Sequence, residues 1–325
     1  MTMTPGRAVG TAVGAIAAVG LAAFAWGSLI ERNRFTIRQE VVPVLEPGAR
    51  SITVLHLSDL HMAPWQRQKQ EGIARVAELV EPDLVVSTGD LLGHEDGLQG
   101  LRRALAPLAG RPGVFVHGSN DWFAPRPSNW LKYLTGPSTQ RSTPGRLDTA
   151  ALVSFLTDEL GWWDLNNRAR AVDLRGSRLE LIGTDDPHIG RDRLDLLTAL
   201  VDEMRASIGG RDGEAAHSSV AADADPLVIG VTHAPYRRVL DGLMTQGAEL
   251  LFAGHTHGGQ VCVPGVGALI TNCDLPTSQA SGLSMWRHAR REAFLEVSAG
   301  LGTSIYAPVR FACPPEAVVL TLVER

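Results

Sequence analysis

The chain has 325 residues, 44% hydrophobic and 20% charged, with a formal net charge of −5. That balance is globular, with length for one large core or two small ones, and the acidic excess excludes a general nucleic-acid binder, which needs basic charge against phosphates. Three cysteines (Cys262, Cys273 and Cys313), none in C-x-x-C spacing, exclude a zinc ribbon or a disulfide framework, leaving free thiols or a single Cys262–Cys273 bridge.

The first element is not globular in character. Ala8 to Ile30 carries no charge over 23 residues, and at about 1.5 Å rise per residue a helix of that length crosses a hydrocarbon core of about 30 Å. The run exceeds a signal peptide's apolar region of about 7–15 residues. Residues 1–30 therefore read as a retained membrane anchor, with cleavage near Ala22–Ala25 as the alternative. Arg7 precedes the run and Arg32, Arg34 and Arg38 follow it, so the positive-inside rule puts the large domain on the cytoplasmic side. Residues 31–50, with Pro43, Pro47 and Gly48, read as a polar connector to a domain over 51–325.

In that domain apolar runs alternate with helical patterns. Ser51–Asp59, Asp83–Asp90 and Gly113–Asp121 read as strands ending in polar residues. Between them lie helical spacings at Gly72–Val80 and Leu98–Leu108, the second stopped by Gly110 and Pro112. Residues 124–150 read as a surface excursion carrying Trp130 and Tyr133, and Ala151–Leu160 as helix. Arg178–Thr184 reads as a strand running into Asp185, Asp186 and His188, and Arg191–Ile208 as an amphipathic helix. Residues 209–226 are polar and read as a flexible loop. Leu227–His233 and Leu250–His257 are strands ending in histidine, and Phe294–Ser298 and Ala317–Val323 complete a second group. Such alternation predicts βαβ units and an α/β fold with a buried, parallel or mixed sheet. Polar residues just past the strand ends then share one crevice.

Those strand ends carry Asp59 and His61, Asp90, Asn120 and Asp121, His233, and His255 and His257. The set is carboxylate, amide oxygen and imidazole without sulfur, which suits Mn, Fe, Zn or Co rather than a thiolate site. Residues i and i+2 of a strand point the same way, so D-L-H and H-T-H each aim two ligands at one point if strand geometry persists into the turn. Gly89, Gly118, Gly254, Gly258 and Gly259 keep the turns free of Cβ atoms. Eight ligands exceed the needs of one ion, which favours two metals about 3.5–4 Å apart sharing a carboxylate.

The blocks L-S-D-L-H-M, S-T-G-D-L-L, G-S-N-D, T-H-A-P and G-H-T-H-G-G-Q, with the tail S-A-G-L-G-T-S-I-Y-A-P-V-R-F, resemble the motifs of the calcineurin-like metallophosphoesterases, in particular a membrane-associated, YkuE-like bacterial branch. The resemblance covers about residues 50–325. It implies a four-layer α/β/β/α sandwich and a two-metal hydrolase in which an activated water attacks a phosphate ester or phosphoanhydride in line. It further implies that Asp59, His61 and His257 hold one metal, that Asp90 bridges, and that Asn120, His233 and His255 hold the second.

One block departs from the family's G-N-H-D/E. Either Asn120 is the ligand and Asp121 replaces the histidine, or Ser119 and Asn120 replace the pair; the first is favoured because an amide oxygen binds metal better than a hydroxyl. Asp121 and His117 are then the candidate catalytic residues, with His188 and Arg310 as further substitutes for the missing imidazole. The anchor and the departure together suggest a lipid-linked or nucleotide-lipid substrate of the kind UDP-diacylglucosamine hydrolases take; the alternative is a soluble phosphorylated small molecule, with the anchor only localising the enzyme. The contrasting readings are a non-catalytic metal-binding scaffold at the membrane and a two-metal amidohydrolase; no lysine or further carboxylate motif supports the latter.

Overall fold

The computed structural model describes residues 5–127, 145–209 and 225–325. Most of the predicted excursion, with Trp130 and Tyr133, and most of the 209–226 loop lie outside those residues. The chain opens with helix α1 (Pro5–Ala25), extended by a π-turn over Trp26–Ile30. Val13–Asn33 is long and apolar enough to cross a membrane.

The predicted connector is largely strand. β1 (Thr36–Leu45) lies at the edge of a six-stranded sheet and pairs parallel to the C-terminal strand β14 (Glu316–Glu324). An edge position tolerates Pro43, which has no N–H to donate. The same sheet holds β2 (Ile52–Leu57), β3 (Leu84–Ser87), β4 (Gly113–Phe115) and the two-residue β5 (Trp163–Asp164), in the order β1-β14-β2-β3-β4-β5. β14 was expected in the second group of strands. It instead runs antiparallel to β2, from Val318 opposite His56 to Leu322 opposite Ile52.

The second sheet runs β12-β13-β9-β8-β7-β6. Its members are β6 (Arg168–Leu174), β7 (Ser177–Gly183), β8 (Leu227–Val231), β9 (Leu250–Ala253), β12 (Gly282–His288) and β13 (Arg291–Val297). The central strands β7, β8 and β9 are parallel. A two-stranded hairpin, β10 (Cys262–Val263) with β11 (Gly267–Ala268), stands apart.

Helices α2 (Arg67–Val80) and α3 (Gly97–Leu105) cover the first sheet, joined by α5 (Thr149–Ser154). α2 buries Ile73, Val76 and Ala77 at helical spacing and ends where Glu81 turns left-handed. Helices α6 (Leu197–Gly209) and α7 (Arg237–Thr245) cover the second sheet. Val54, Val86 and Leu320 from the first sheet meet Ile229, Val231 and Phe252 from the second in the core between them. Helix, sheet, sheet, helix is the four-layer sandwich expected. Its central strands are buried on both faces and so read as continuous apolar runs. The short helix α4 (Ser119–Trp122) follows β4 directly.

Candidate metal centre

β2, β3, β8 and β9 end at Leu57, Ser87, Val231 and Ala253, and the polar residues just beyond them converge. Strand alternation is not what aims them. Asp59, His61, Asp90, His255 and His257 all have positive φ, between 41° and 68°, so the backbone turns at each residue instead of pleating. Left-handed backbone costs an L-residue on the order of 1–2 kcal/mol, and five such residues at one locus mark a site the fold holds against local preference.

Asp59, His61 and His257 offer ligand atoms within 4.8 Å of one another, and so do Asp59, Asp90 and His233. His61 Nε2 and His257 Nε2 stand 3.2 Å apart. Each is 3.5 Å from a carboxylate oxygen, Asp90 Oδ2 and Asp59 Oδ1 respectively. The other Asp90 oxygen is 3.7 Å from His233 Nε2, so Asp90 turns one oxygen to each cluster.

Hydrogen bonds behind these groups fix their orientation. His233 Nδ1 lies 2.6 Å from the Thr88 carbonyl. The proton is thereby held on Nδ1 and the Nε2 lone pair aims inward. His255 Nε2 does the same against the Asn272 carbonyl at 3.1 Å, leaving Nδ1 as its donor to a metal. Asp59 Oδ2 accepts from Ser58 Oγ and the His255 amide, and Ser58 Oγ in turn accepts from Thr88 Oγ1, which contacts His56 Nε2. Asp59 Oδ1 and His233 Nε2 remain buried without hydrogen-bond partners. A group in that state costs about 1–3 kcal/mol, and a cation between the two clusters would satisfy both.

The electrostatics make the same demand. Burial alone would lower His233, but Asp90, Asp186 and Asp59 outweigh it and raise the imidazole to about 9. Burial raises Asp59 to about 6, holds His61 down near 4, and keeps His255 and His257 well below the ordinary histidine value. Three carboxylates thus concentrate negative potential at one imidazole amid otherwise neutral rings. The nitrogen and oxygen donors fit divalent metals of the Mn, Fe, Zn or Co type.

The remaining predicted residues are placed unequally. Asn120 donates to both Asp90 oxygens, through its backbone at 2.8 Å and Nδ2 at 2.7 Å; a role as ligand requires its amide to turn and present Oδ1. His255 lies outside the two tight clusters, its ring 5.1 Å from that of His233.

Asp121, expected as a catalytic acid, is instead a structural pin. Its carboxylate is fully buried and accepts from the amides of Leu91, Leu92 and Gly118 at 2.8–3.1 Å, tying the Asp90 loop to the Gly118 loop with no face left for substrate. His117 is corrected likewise: it is buried between Phe115 and Trp122, and the charges that act on it are Asp185, Asp164 and Arg191 rather than the clustered ligands. Arg310 is fully buried and spends its guanidinium on backbone carbonyls.

Of the substitutes considered, His188 stands beside His255. Its ring is 4.4 Å from His255 and its Nδ1 is 3.0 Å from Tyr236 Oη. Sequence reading passed over Asp186 as a site residue. Its Oδ2 is buried without a partner, and burial raises its carboxyl to about 7. The only signal was its position after the Arg178–Thr184 strand. The Cys262–Cys273 bridge is not formed: all three thiols are free, and Cys262 and Cys313 both donate to the Gly258 carbonyl.

Two glycines carry a geometric requirement. A Cβ on Gly118 would sit 2.2 Å from Asp90 Oδ1, and one on Gly254 would sit 1.9 Å from Ser58 Oγ and 2.5 Å from Asp59 Oδ2. Gly254→Ala is expected to destabilise the protein by about 1–3 kcal/mol and to lower bound metal. Thermal unfolding with elemental analysis of the purified variant checks both; unchanged metal content would remove Gly254 from the site's support.

Residues 52–259 match the calcineurin-like phosphoesterase family. A transmembrane protein with metallophosphoesterase domain from Bos taurus is 28% identical over 243 residues, 71% of this chain and 46% of that protein, so the chain spans under half of that relative. The uncharacterized metallophosphoesterase YkuE of Bacillus subtilis is 24% identical over 313 residues, 93% of this chain and 89% of its own length. Among solved structures, a dimetal phosphatase from Danio rerio aligns with a TM-score of 0.37 at 11% identity, over 77% of this chain and 88% of that one. With the matched residues running from β2 to the Gly259 turn and enclosing both ligand clusters, the chain belongs to the calcineurin-like phosphoesterase family, hydrolases that act on phosphoric esters with divalent metal ions.

Proposed function

We propose that the protein hydrolyses a phosphate ester or phosphoanhydride on a lipid-linked or nucleotide-lipid substrate of the UDP-diacylglucosamine type, at a membrane it is anchored to. The observation that carries the reading is the coupling of the apolar helix to the metal centre. Gly27 at the base of the helix accepts from the amide of Arg310 at 3.1 Å, and Arg310 Nη2 lies 3.4 Å from His257 Nδ1. The excess of arginines after the apolar run supports a cytoplasmic domain; protease digestion of intact spheroplasts that removes the domain would reverse that orientation.

Asp59, His61 and His257 would hold one divalent ion, and His233 with His255 and a turned Asn120 amide the second, with Asp90 offering an oxygen to each. The chemistry that divalent ions would supply there is neutralisation of phosphoryl oxygens and activation of the attacking water. The protein's part is preorganisation: Thr88, Ser58 and Asn272 fix ring and carboxylate orientation before substrate arrives.

His188 takes the place of the family's usual imidazole, hydrogen-bonding the phosphoryl group from the His255 side. His188→Ala is expected to lower kcat by about 10²-fold while metal content stays at the parent value. Loss of metal in that variant would make His188 a support for His255 instead.

The test is a panel of aryl phosphomonoesters, diesters, nucleotides and phospholipids, with the full chain loaded separately with Mn and Zn. Release of phosphate or phosphomonoester from an amphiphilic substrate, with two equivalents of metal bound, is expected. Two equivalents bound without hydrolysis of any substrate would identify a non-catalytic scaffold.

A further inference from the structure

We infer that the β10–β11 hairpin and the Tyr306–Phe311 segment form a membrane-docking rim that seats in the lipid headgroup layer beside the anchor, so that the metal centre opens at the bilayer surface. The inference deepens the reading above and rests on its anchor.

The rim is apolar and solvent-facing. Val261, Val263, Val266, Leu269 and Tyr306 are each between 41% and 73% exposed. No charged residue occurs from Gly258 to Cys273, nor from Ala299 to Val309. Single exposed apolar residues are ordinary; five within two adjoining uncharged segments form a patch of the kind that contacts a partner or a membrane.

Backbone continuity identifies the occupant. The Arg310 amide donates to Gly27 at the base of the apolar helix. The next residue, Phe311, donates to Gln260 and accepts from Cys262, the first residue of the hairpin. Glu31 closes the other side, with Oε1 accepting from the Cys313 amide at 2.7 Å and Oε2 from Trp26 Nε1 at 2.8 Å. The packing is tight, since a Cβ on Gly27 would meet the Arg310 carbonyl at 2.5 Å. Helix base, loop and hairpin therefore move together, and wherever the helix leaves the bilayer the hairpin lies at the same level. Trp26 is an interfacial residue type at the appropriate end of the span. Arg32 and Arg34, just beyond it, suit anionic headgroups.

The hairpin begins at the turn that carries His257. His257 O is 3.3 Å from Cys313 Sγ, and Gln260 Nε2 donates to the Ala307 carbonyl of the rim at 2.7 Å. A docked rim thus brings the site to headgroup depth. The substrate class that geometry suits is an amphiphile whose phosphate lies at the interface and which arrives laterally.

The experiment places one tryptophan at the hairpin tip in the full chain, Val266→Trp, reconstituted into nanodiscs of phosphatidylcholine and phosphatidylglycerol with and without brominated acyl chains. The added fluorescence is expected to fall by about half with brominated lipid, as for a side chain buried several ångströms into the interface. Val263→Trp repeats the measurement from the neighbouring strand. Arg50→Trp, past the far end of the ten-residue strand β1, is the control and is expected to stay unquenched. Incorporation into the disc without quenching at either hairpin position would overturn the docking and leave the anchor standing. A chain that does not copurify with discs would overturn the anchor and the docking together. Hydrolysis of a soluble aryl phosphate by the same preparations reports separately on the phosphoesterase reading.

Discussion

Asp90→Asn will reduce kcat/KM by about three orders of magnitude or more, and will lower bound metal below two equivalents, without unfolding the protein. The size follows from position. Asp90 is the residue whose two oxygens face both clusters, His61 at 3.5 Å and His233 at 3.7 Å. A shared carboxylate contributes to both ions at once, and several kcal/mol of charge stabilisation in the transition state converts at 1.36 kcal/mol per decade. The asparagine side chain keeps the volume, and the Asn120 backbone N–H, 2.8 Å from Asp90 Oδ1, keeps an acceptor in the amide oxygen. The variant therefore removes charge with little loss of shape. His257→Ala and His233→Ala provide the contrast, since each belongs to one cluster only and each should lower one equivalent while the other persists. Elemental analysis beside phosphate release reads all three. Full activity of Asp90→Asn with two bound metals would remove Asp90 from the bridging position.

The site was legible because its candidate ligands come in short blocks at the ends of apolar runs. Asp59–His61, Asp90, His233 and His255–His257 could each be placed by their neighbours alone. Their backbone conformation was not legible. Nothing about an aspartate or a histidine in sequence announces positive φ: Asp59 and His61 share a cluster through turned backbone and not through strand alternation, and His255 lies outside the cluster that takes His257. Asp121 misled for a related reason. A carboxylate beside a ligand reads as chemistry, whereas three amides already occupy it, and only the folded loops bring those amides together.

The four-layer architecture followed from the alternation of runs and from the family resemblance, but two strands were misplaced. β1 carries Arg38, Gln39, Glu40 and Pro43, a composition that reads as linker until β14 arrives beside it from the far end of the chain. Strand partners separated by 280 residues, such as Thr36 and Glu316, leave no local signature. β6 was within reach of reading: Arg168-Ala169-Arg170-Ala171-Val172 alternates polar with small or apolar residues, and Arg175-Gly176, both at positive φ, supplies the hairpin turn to β7. Helix α7 is nine residues long, too short for its periodicity to stand out from the polar stretch around it.

Arg310→Met will destabilise the protein by several kcal/mol, at about 1–3 kcal/mol for each buried carbonyl left without its donor, and will weaken metal binding at the His257 cluster more than at the His233 cluster. The guanidinium is fully buried, and its Nη2 donates to the carbonyls of Ala299, Gly300 and Gly302 at 2.6, 3.0 and 2.7 Å, while Nη1 reaches Cys313 O at 3.4 Å. Methionine matches much of the volume but donates nothing, so those buried carbonyls are left without their donor, at about 1–3 kcal/mol for each that water cannot reach. The loop they belong to is the one that backs the site: Leu301 N donates to Ser58 O at 3.0 Å and Gly302 N to Asp59 O at 2.7 Å. Loosening it releases Asp59, which belongs to both clusters, while the loss of Nη2 frees His257 Nδ1, which belongs to one, so the His257 cluster loses two supports and the His233 cluster one. Arg310→Lys separates charge from geometry. An ammonium restores the cation but not a planar fork reaching several carbonyls, so it should recover part of the stability and little of the metal. Thermal unfolding and metal stoichiometry of the two variants decide between these roles. Equal loss of both metals in Arg310→Met would mean that the residue supports the fold as a whole and not the His257 turn.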